Sequence, residues 1–118
     1  MFQTTRRVAV MALACTATLG FAQSNKGEIR IAHIHSKTGP LEAYAKQTHT
    51  GLMMGLAYAT GGTMMVAGKK IVVIEKDDQG KPDVGKSLLA AAYGDDKVDI
   101  AVGPTSSGVA LAMLPVAE

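Results

Sequence analysis

The sequence predicts a doubly wound α/β fold, a three-layer α/β/α sandwich built on a parallel sheet. Three short apolar segments rich in β-branched residues alternate with three longer segments whose apolar residues recur every three or four positions. Glycine or proline marks each change of period, and the connections are short. Strands that alternate with helices in this way pair in parallel through right-handed crossovers, which gives the order βαβαβα.

The first strand and helix follow from a change of period at TGP. The segment GEIRIAHIHS alternates apolar and polar residues, which predicts a strand over Ile29–His35. From Leu41 to Ala59 apolar and small residues recur at helical spacing, so we expect a long helix that ends at Gly61 and Gly62.

The remaining elements repeat this arrangement twice. The β-branched segment Ile71–Ile74 predicts the second strand. A helix follows from Lys81, because Pro82 suits a first helical turn, and it ends at Gly94. The apolar segment Val98–Val102 predicts a third, buried strand, and VALAMLPVAE begins a third helix after GPTSSG.

The N-terminal segment has the layout of a secretory signal peptide. Two arginines precede an apolar run over Val8–Leu19, and small residues precede a predicted cut after Ala22. The run is shorter than the about 20 apolar residues that a transmembrane helix needs. We therefore predict a signal peptide over residues 1–22, export to the periplasm by the general or the twin-arginine route, and a mature domain over residues 23–118.

Charge and cysteine content limit the partners of the mature chain. The sequence carries 12 Lys and Arg against 10 Asp and Glu, and two of the basic residues, Arg6 and Arg7, lie in the predicted signal peptide. The balanced mature chain has no basic run, so nucleic acid is not an expected partner. The single cysteine, Cys15, also lies in the signal peptide, so no disulfide is expected in the mature domain.

The predicted sheet indicates two loops as the candidate ligand site. If the strand order is 2-1-3, the loops His35–Pro40 and Gly103–Gly108 face each other beyond the carboxyl ends of their strands, where such sheets bind ligands. The second loop opens a helix, whose free N–H groups favour an anion. A ligand carboxylate would accept hydrogen bonds from the Ser107 hydroxyl and the amides around Gly108. The alternative is that Ser106 or Ser107 merely caps the helix.

A catalytic serine is a weaker interpretation of the same loop. Ser106 has Gly108 two residues later on a strand-to-helix turn, as in a nucleophile elbow. However, Pro104 stands in the place of the first glycine, and no Asp followed by His comes later in the sequence. An exported α/β hydrolase with Ser106 as nucleophile is therefore the alternative function rather than the leading one.

Two sets of polar residues resemble metal sites, and we interpret both as structural. His33, His35 and His49 lack a carboxylate or cysteine at ligand spacing, which favours ordinary packing over zinc. Asp77 and Asp78 follow the second strand and are expected to be a solvated strand end. The sequence thus predicts neither a metal nor a cofactor.

Four stretches in order resemble a known family: TGPLEAY, KDDQGKPD, DDKVDIAVGP and SSGVALAMLPVAE. Together they cover nearly all of residues 27–118, which resemble the N-terminal part of a periplasmic solute-binding protein of the branched-chain amino acid type. Those proteins have the two-lobe type I periplasmic-binding fold. Because this chain ends in its third predicted helix, we expect it to represent the first part of lobe one.

The resemblance implies a non-catalytic binding component of an ABC importer, without a cofactor, that delivers its ligand to the membrane-embedded permease. The family's carboxylate-binding serine matches Ser107, with Ser106 beside it. Its aromatic pocket residue matches Tyr44, and Thr38 matches a position at the pocket edge. The implied ligand is a branched-chain amino acid or a similar small amino acid. Because residues around the first strand, among them Lys37, are polar, amides and small organic acids are alternative ligand classes.

Overall fold

The computed structural model describes residues 27–118, so the predicted signal peptide lies outside the described residues. Within this part of the chain, no helix is both long and apolar enough to span a bilayer. The elements in chain order are β1 (Glu28–His35), α1 (Glu42–Ala59), β2 (Met65–Val66), β3 (Lys69–Asp77), α2 (Pro82–Gly94), β4 (Ile100–Val102) and α3 (Ser107–Ala117).

The sheet has the order β2-β3-β1-β4. β1 pairs in parallel with β3 along its full length, ending at His35 opposite Asp77, and in parallel with β4, ending at His33 opposite Val102. The three main strands thus have the 2-1-3 order under which the loops after the first and third predicted strands face each other. Because all three run in the same direction, the loops that follow β1, β3 and β4 meet at one edge of the sheet.

β2 was not predicted, and it makes the sheet mixed rather than all-parallel. It pairs antiparallel with the start of β3, with Met65 opposite Lys70. The two turn residues, Ala67 and Gly68, both have positive φ (50° and 76°), the geometry of a tight type I′ hairpin turn. Alanine is unusual at the first of these positions, so the hairpin lacks the Asn-Gly signal that reveals such turns in a sequence.

β4 is shorter and more exposed than predicted. It begins at Ile100, and only Val98, two residues before it, is buried as expected. Ile100 itself is 49% exposed, so the expectation of a fully buried strand is wrong at this residue. In the described part of the chain β4 pairs only with β1 and lies at the edge of the sheet, which accounts for the exposure.

Helices cover both faces of the sheet and thus form the predicted three layers. Ala32 and Ile34 of β1 face α2 and α3 and join the apolar core with Leu89, Ala92, Val98, Val109 and Met113. The intervening residues of β1 face α1 on the other side, where His33 contacts His49. α2 and α3 approach closely at Gly85, where a Cβ atom would overlap the Val109 side chain.

Candidate functional site

The carboxyl edge of the sheet is held together by hydrogen bonds between three loops. The Ser36 N–H, after β1, donates to Oγ1 of Thr105, after β4, at 3.2 Å. Oγ of Ser36 donates to Oδ1 of Asp78, after β3, at 2.7 Å. Ser36 and Asp78 are fully buried, so this link is shielded from water. The two loops predicted to face each other across the crevice are therefore in direct contact.

The pair Asp77 and Asp78 organises this edge, and Asp78 is not the solvated strand end that the sequence predicted. Asp78 also accepts a hydrogen bond from the Gly80 amide at 2.7 Å, which shapes the turn into α2. Asp77 accepts from the Thr38 hydroxyl at 2.6 Å and from the Thr38 amide at 3.2 Å. Burial opposes the charge on Asp77, but these bonds and those from the amides of Gln79 and Lys37 outweigh it and lower the Asp77 pKa.

The loop before α3 is pressed against β1. Gly103 has a φ of 130°, and a Cβ atom at this position would overlap the carbonyl oxygen of Ile34. Only glycine therefore fits here without moving β1. The Gly103–Pro104 turn brings the start of α3 to the carboxyl edge, beside the loop that carries Ser36.

The serines that open α3 are not used as caps. Ser106 is the N-cap residue, with extended backbone (φ −99°, ψ 131°), yet it makes no side-chain capping bond. Ser107 begins the helix, and Ser107 and Gly108 are exposed. The first amides of a helix have no partner within it, so this end presents hydroxyl and N–H groups to a ligand. The capping alternative is not what the structure shows.

The other two predicted site residues lie apart from the serines. Thr38 contacts Asp77 on the β3 side of the edge, so its hydroxyl proton is committed. Tyr44 lies in the first turn of α1 with 64% of its surface exposed. Ser106, Ser107 and Gly108 thus form one group at the start of α3, whereas Thr38 lies in the loop after β1 and Tyr44 in the first turn of α1. Their contacts with a ligand stay a prediction.

A polar cavity of about 530 Å³ opens between β1, β3 and α1. Glu75 in its lining pairs with two basic groups: Lys37 Nζ is 2.9 Å and His35 Nε2 is 3.1 Å from Oε1 of Glu75. The hydrogen bond from Lys37 is the largest influence on Glu75 and lowers its pKa. Besides Thr38, two lysines, two glutamates and two histidines line the cavity: Lys37, Lys46, Glu42, Glu75, His35 and His49.

All three histidines of the sequence meet beside this cavity. Nδ1 of His33 is 3.0 Å from Nδ1 of His49, and the rings of His33 and His35 stack with centroids 4.2 Å apart. Burial, followed by the charges of the other two histidines, lowers the pKa of His33 to about 4. Glu75 could not be found from the sequence, because that carboxylate comes from β3, where it lies opposite His33 in the strand register. A residue on a neighbouring parallel strand, 42 positions later in the sequence, creates no local spacing pattern that would reveal it.

The parallel strands β3, β1 and β4, with the open start of α3 at their carboxyl edge, have the arrangement at which α/β folds bind ligands. The sequence model of the family described as periplasmic binding protein matches residues 28–118. The chain therefore belongs to the periplasmic binding protein family, and the expected type I fold is confirmed by its structural relatives.

Among curated proteins, the Leu/Ile/Val-binding protein BraC3 of Rhizobium johnstonii is 35% identical over 97 residues, which are 80% of this chain and 25% of the relative. The chain thus spans about a quarter of that relative's length. A solved ABC-type branched-chain amino acid transporter from Rhodopseudomonas palustris is 68% identical, with a TM-score of 0.75 over 76% of this chain and 24% of that one.

Two further solved structures carry ligands. The substrate-binding protein LivJ from Streptococcus pneumoniae, in complex with isoleucine, is 28% identical, with a TM-score of 0.64 over 76% of this chain and 26% of that one. A solute-binding protein from Rhodopseudomonas palustris BisB5, in complex with 3,4-dihydroxybenzoic acid, is 33% identical, with a TM-score of 0.68 over 76% of this chain and 24% of that one.

Proposed function

We propose that the protein is the substrate-binding component of an ABC importer, which binds a small carboxylate ligand in the periplasm and delivers it to the membrane permease. A branched-chain amino acid or a similar small amino acid or amide is the first candidate ligand. The observation that carries the proposal is the match of residues 28–118 to the periplasmic binding protein family, together with an open, uncapped start of α3 at the carboxyl edge.

A carboxylate is the ligand chemistry that this edge favours. Isoleucine and 3,4-dihydroxybenzoic acid, the ligands of two relatives, differ in almost everything except their carboxylate. Hydroxyl donors and free amides at a helix start bind such a group, and the helix dipole adds to the attraction. We assign the carboxylate to Ser107 and the Gly108 amide, with Ser106 beside them and Tyr44 and Thr38 at the rim.

We infer that the protein acts by binding alone. The family is one of transport proteins, and the comparisons give no support to a hydrolase. A nucleophilic serine needs a base within hydrogen-bonding distance. Within residues 27–118 the three histidines contact one another and Glu75, and none hydrogen-bonds to Ser106.

We also propose that the protein is exported to the periplasm. Membership of a periplasmic family agrees with a signal peptide over residues 1–22, cleaved after Ala22. N-terminal sequencing of the protein recovered from a periplasmic extract tests this, and a sequence that begins at Gln23 is the expected result. Recovery from the cytoplasm with Met1 intact would contradict it.

A ligand screen tests the function itself. Protein expressed from its complete reading frame is screened by thermal shift against branched-chain amino acids, their amides and hydroxybenzoates. We expect at least one carboxylate to raise the melting temperature, because a ligand that binds only the folded state stabilises it. Stabilisation by a hydroxybenzoate but not by leucine, isoleucine or valine would select an aromatic acid as ligand. The absence of any stabilisation would count against the function.

A pair of serine variants then tests the site. Ser107→Ala is expected to weaken binding of the ligand found in the screen by about 1–3 kcal/mol, the range for a charged group left with one hydrogen bond too few. Ser87→Ala is the matched control, because the Ser87 hydroxyl donates only to the Asp83 carbonyl within α2. Calorimetry showing equal affinities for both variants would overturn the role of Ser107 and leave the function standing.

A further inference from the structure

The buried histidine cluster is not explained by the proposed function. His33 and His35 lie on one face of β1, exposed by 0% and 2%, and His49 reaches them from α1. The sequence contains three histidines in total, and one nitrogen from each lies within 4.8 Å of the other two. Imidazoles gathered in this way beside a carboxylate are the donor set of a transition metal.

Among residues 27–118, two of the ring nitrogens are buried and find no hydrogen-bond partner, Nε2 of His33 and Nδ1 of His35. Such atoms cost folding free energy unless something else satisfies them. The tautomer of the neutral His35 ring follows from its other nitrogen. Nε2 of His35 is 3.1 Å from Glu75, and an ionised carboxylate only accepts, so Nε2 carries the proton. Nδ1 of His35 therefore holds a lone pair that points at no donor.

This is the arrangement that outer carboxylates impose on metal-binding histidines. A carboxylate accepts the N–H of one ring nitrogen, fixes the tautomer, and makes the other nitrogen a better ligand. Glu75 has this relation to His35, and its Oε2 is also 3.9 Å from Nε2 of His49.

We propose that His33, His35 and His49 bind a divalent first-row transition-metal ion, with Zn²⁺ as the reference ion, and that Glu75 orients His35 from outside the coordination shell. The assignment is independent of the proposed ligand site. The polar cavity beside the cluster provides a path of entry, since His35, His49 and Glu75 all line it. Its two lysines are balanced by two glutamates, so a cation is not repelled by the lining as a whole.

Distances define the rearrangement that binding requires. Two nitrogens on one tetrahedral Zn²⁺ are about 3.3 Å apart, given Zn–N bonds of about 2.0–2.1 Å. The His33–His49 pair, at 3.0 Å, is already close to this spacing. The three rings are nearly parallel, with interplanar angles of 10° to 16°, and one ion cannot lie in three parallel planes. His49, whose side chain is 30% exposed, is the ring with room to turn.

Metal titration of one variant and its control tests the site. Tag-free protein from the complete reading frame is stripped with EDTA, dialysed, and titrated with ZnCl₂ by calorimetry and with CoCl₂ by visible absorption. The wild type is expected to bind both ions, and His49→Gln is expected to weaken Zn²⁺ binding by more than the about 10–100-fold typical of an outer-shell substitution. Thr50→Gln, at an exposed neighbouring position of α1, is the control and should bind as the wild type does.

A second measurement uses the wild type alone and therefore does not depend on whether the variants fold. In ¹H–¹⁵N correlation spectra of the wild-type imidazoles, Zn²⁺ is expected to shift the ring nitrogens of all three histidines. Zn²⁺ affinity weaker than millimolar, equal affinity in His49→Gln and the wild type, or unchanged resonances of His33 or His35 would each overturn the site.

Discussion

Ser36 and Asp78 form a fully buried hydrogen bond, Oγ to Oδ1 at 2.7 Å, that joins the loop after β1 to the loop after β3. The same serine uses its N–H to contact Thr105 after β4. One residue therefore links all three loops of the carboxyl edge. The crevice at which we place the ligand depends on this junction. The contribution of the junction to stability can be measured directly.

Ser36→Ala is expected to lower the free energy of unfolding by about 1.5–3 kcal/mol, because a buried carboxylate loses a hydrogen bond. The amide bond to Thr105 does not depend on the side chain and is retained. Urea unfolding of the purified protein measures the change. Ser87→Ala removes a hydroxyl that bonds only within α2 and should change stability by no more than about 0.5 kcal/mol. Equal effects of the two variants would contradict the importance of the junction.

The contact between α2 and α3 at Gly85 predicts a rescue. Gly85→Ala alone is expected to destabilise the protein by about 1–3 kcal/mol, because the new Cβ overlaps the Val109 side chain. In Gly85→Ala/Val109→Ala the smaller partner removes the overlap, so the loss should be less than the sum of the two single losses. Chemical unfolding of the three variants gives the coupling energy. Strict additivity would mean that the helices separate to accommodate the methyl group.

Thr38→Val tests the pH dependence of the edge. The Asp77 pKa is lowered in the folded state, so the stability it contributes is present above its ordinary value of 3.8 and is lost as the pH falls through the folded value. Without the Thr38 hydroxyl the folded pKa rises towards the ordinary one. The wild type should therefore exceed Thr38→Val in stability at neutral pH, and the difference should shrink below pH 3.8.

Unfolding measured at neutral and at acidic pH provides the comparison, and an NMR titration of the Asp77 carboxyl provides the two pKa values. Thr50→Val, at an exposed position of α1, is the control for replacing a threonine by valine. A stability difference between wild type and Thr38→Val that is the same at both pH values would show that the hydroxyl acts by packing rather than through the charge of Asp77.

The main elements of the fold could be read from the sequence because each has a local signal. Alternating apolar residues predict β1, apolar residues at helical spacing predict α1, and a proline in the first turn predicts the start of α2. Each predicted element lies within a few residues of its observed bounds. β2 could not be predicted, since its turn begins with Ala67 at positive φ, and alanine gives no signal for such a turn. The exposure of Ile100 depends on which strand lies at the edge, and no local pattern encodes that.

The candidate site was predictable only in part, for a similar reason. The serines that open α3 follow from the strand-to-helix turn itself. The roles of Asp78 and Glu75 depend on partners in β1 or directly after it, about 40 residues earlier, and follow only from the strand register. Local sequence patterns therefore predict a solvated Asp78 and indicate no carboxylate beside the histidines.

β1 separates two chemically opposed layers, with Ala32 and Ile34 in the apolar core and His33 and His35 on the α1 side. A strand exchanges its two faces when its register moves by one residue. Loss or gain of a single codon within β1 would therefore drive imidazoles into the core and isoleucine into the polar cavity. We expect this gene segment to tolerate substitutions far better than single-codon insertions or deletions, which a deep mutational scan that includes both classes would reveal.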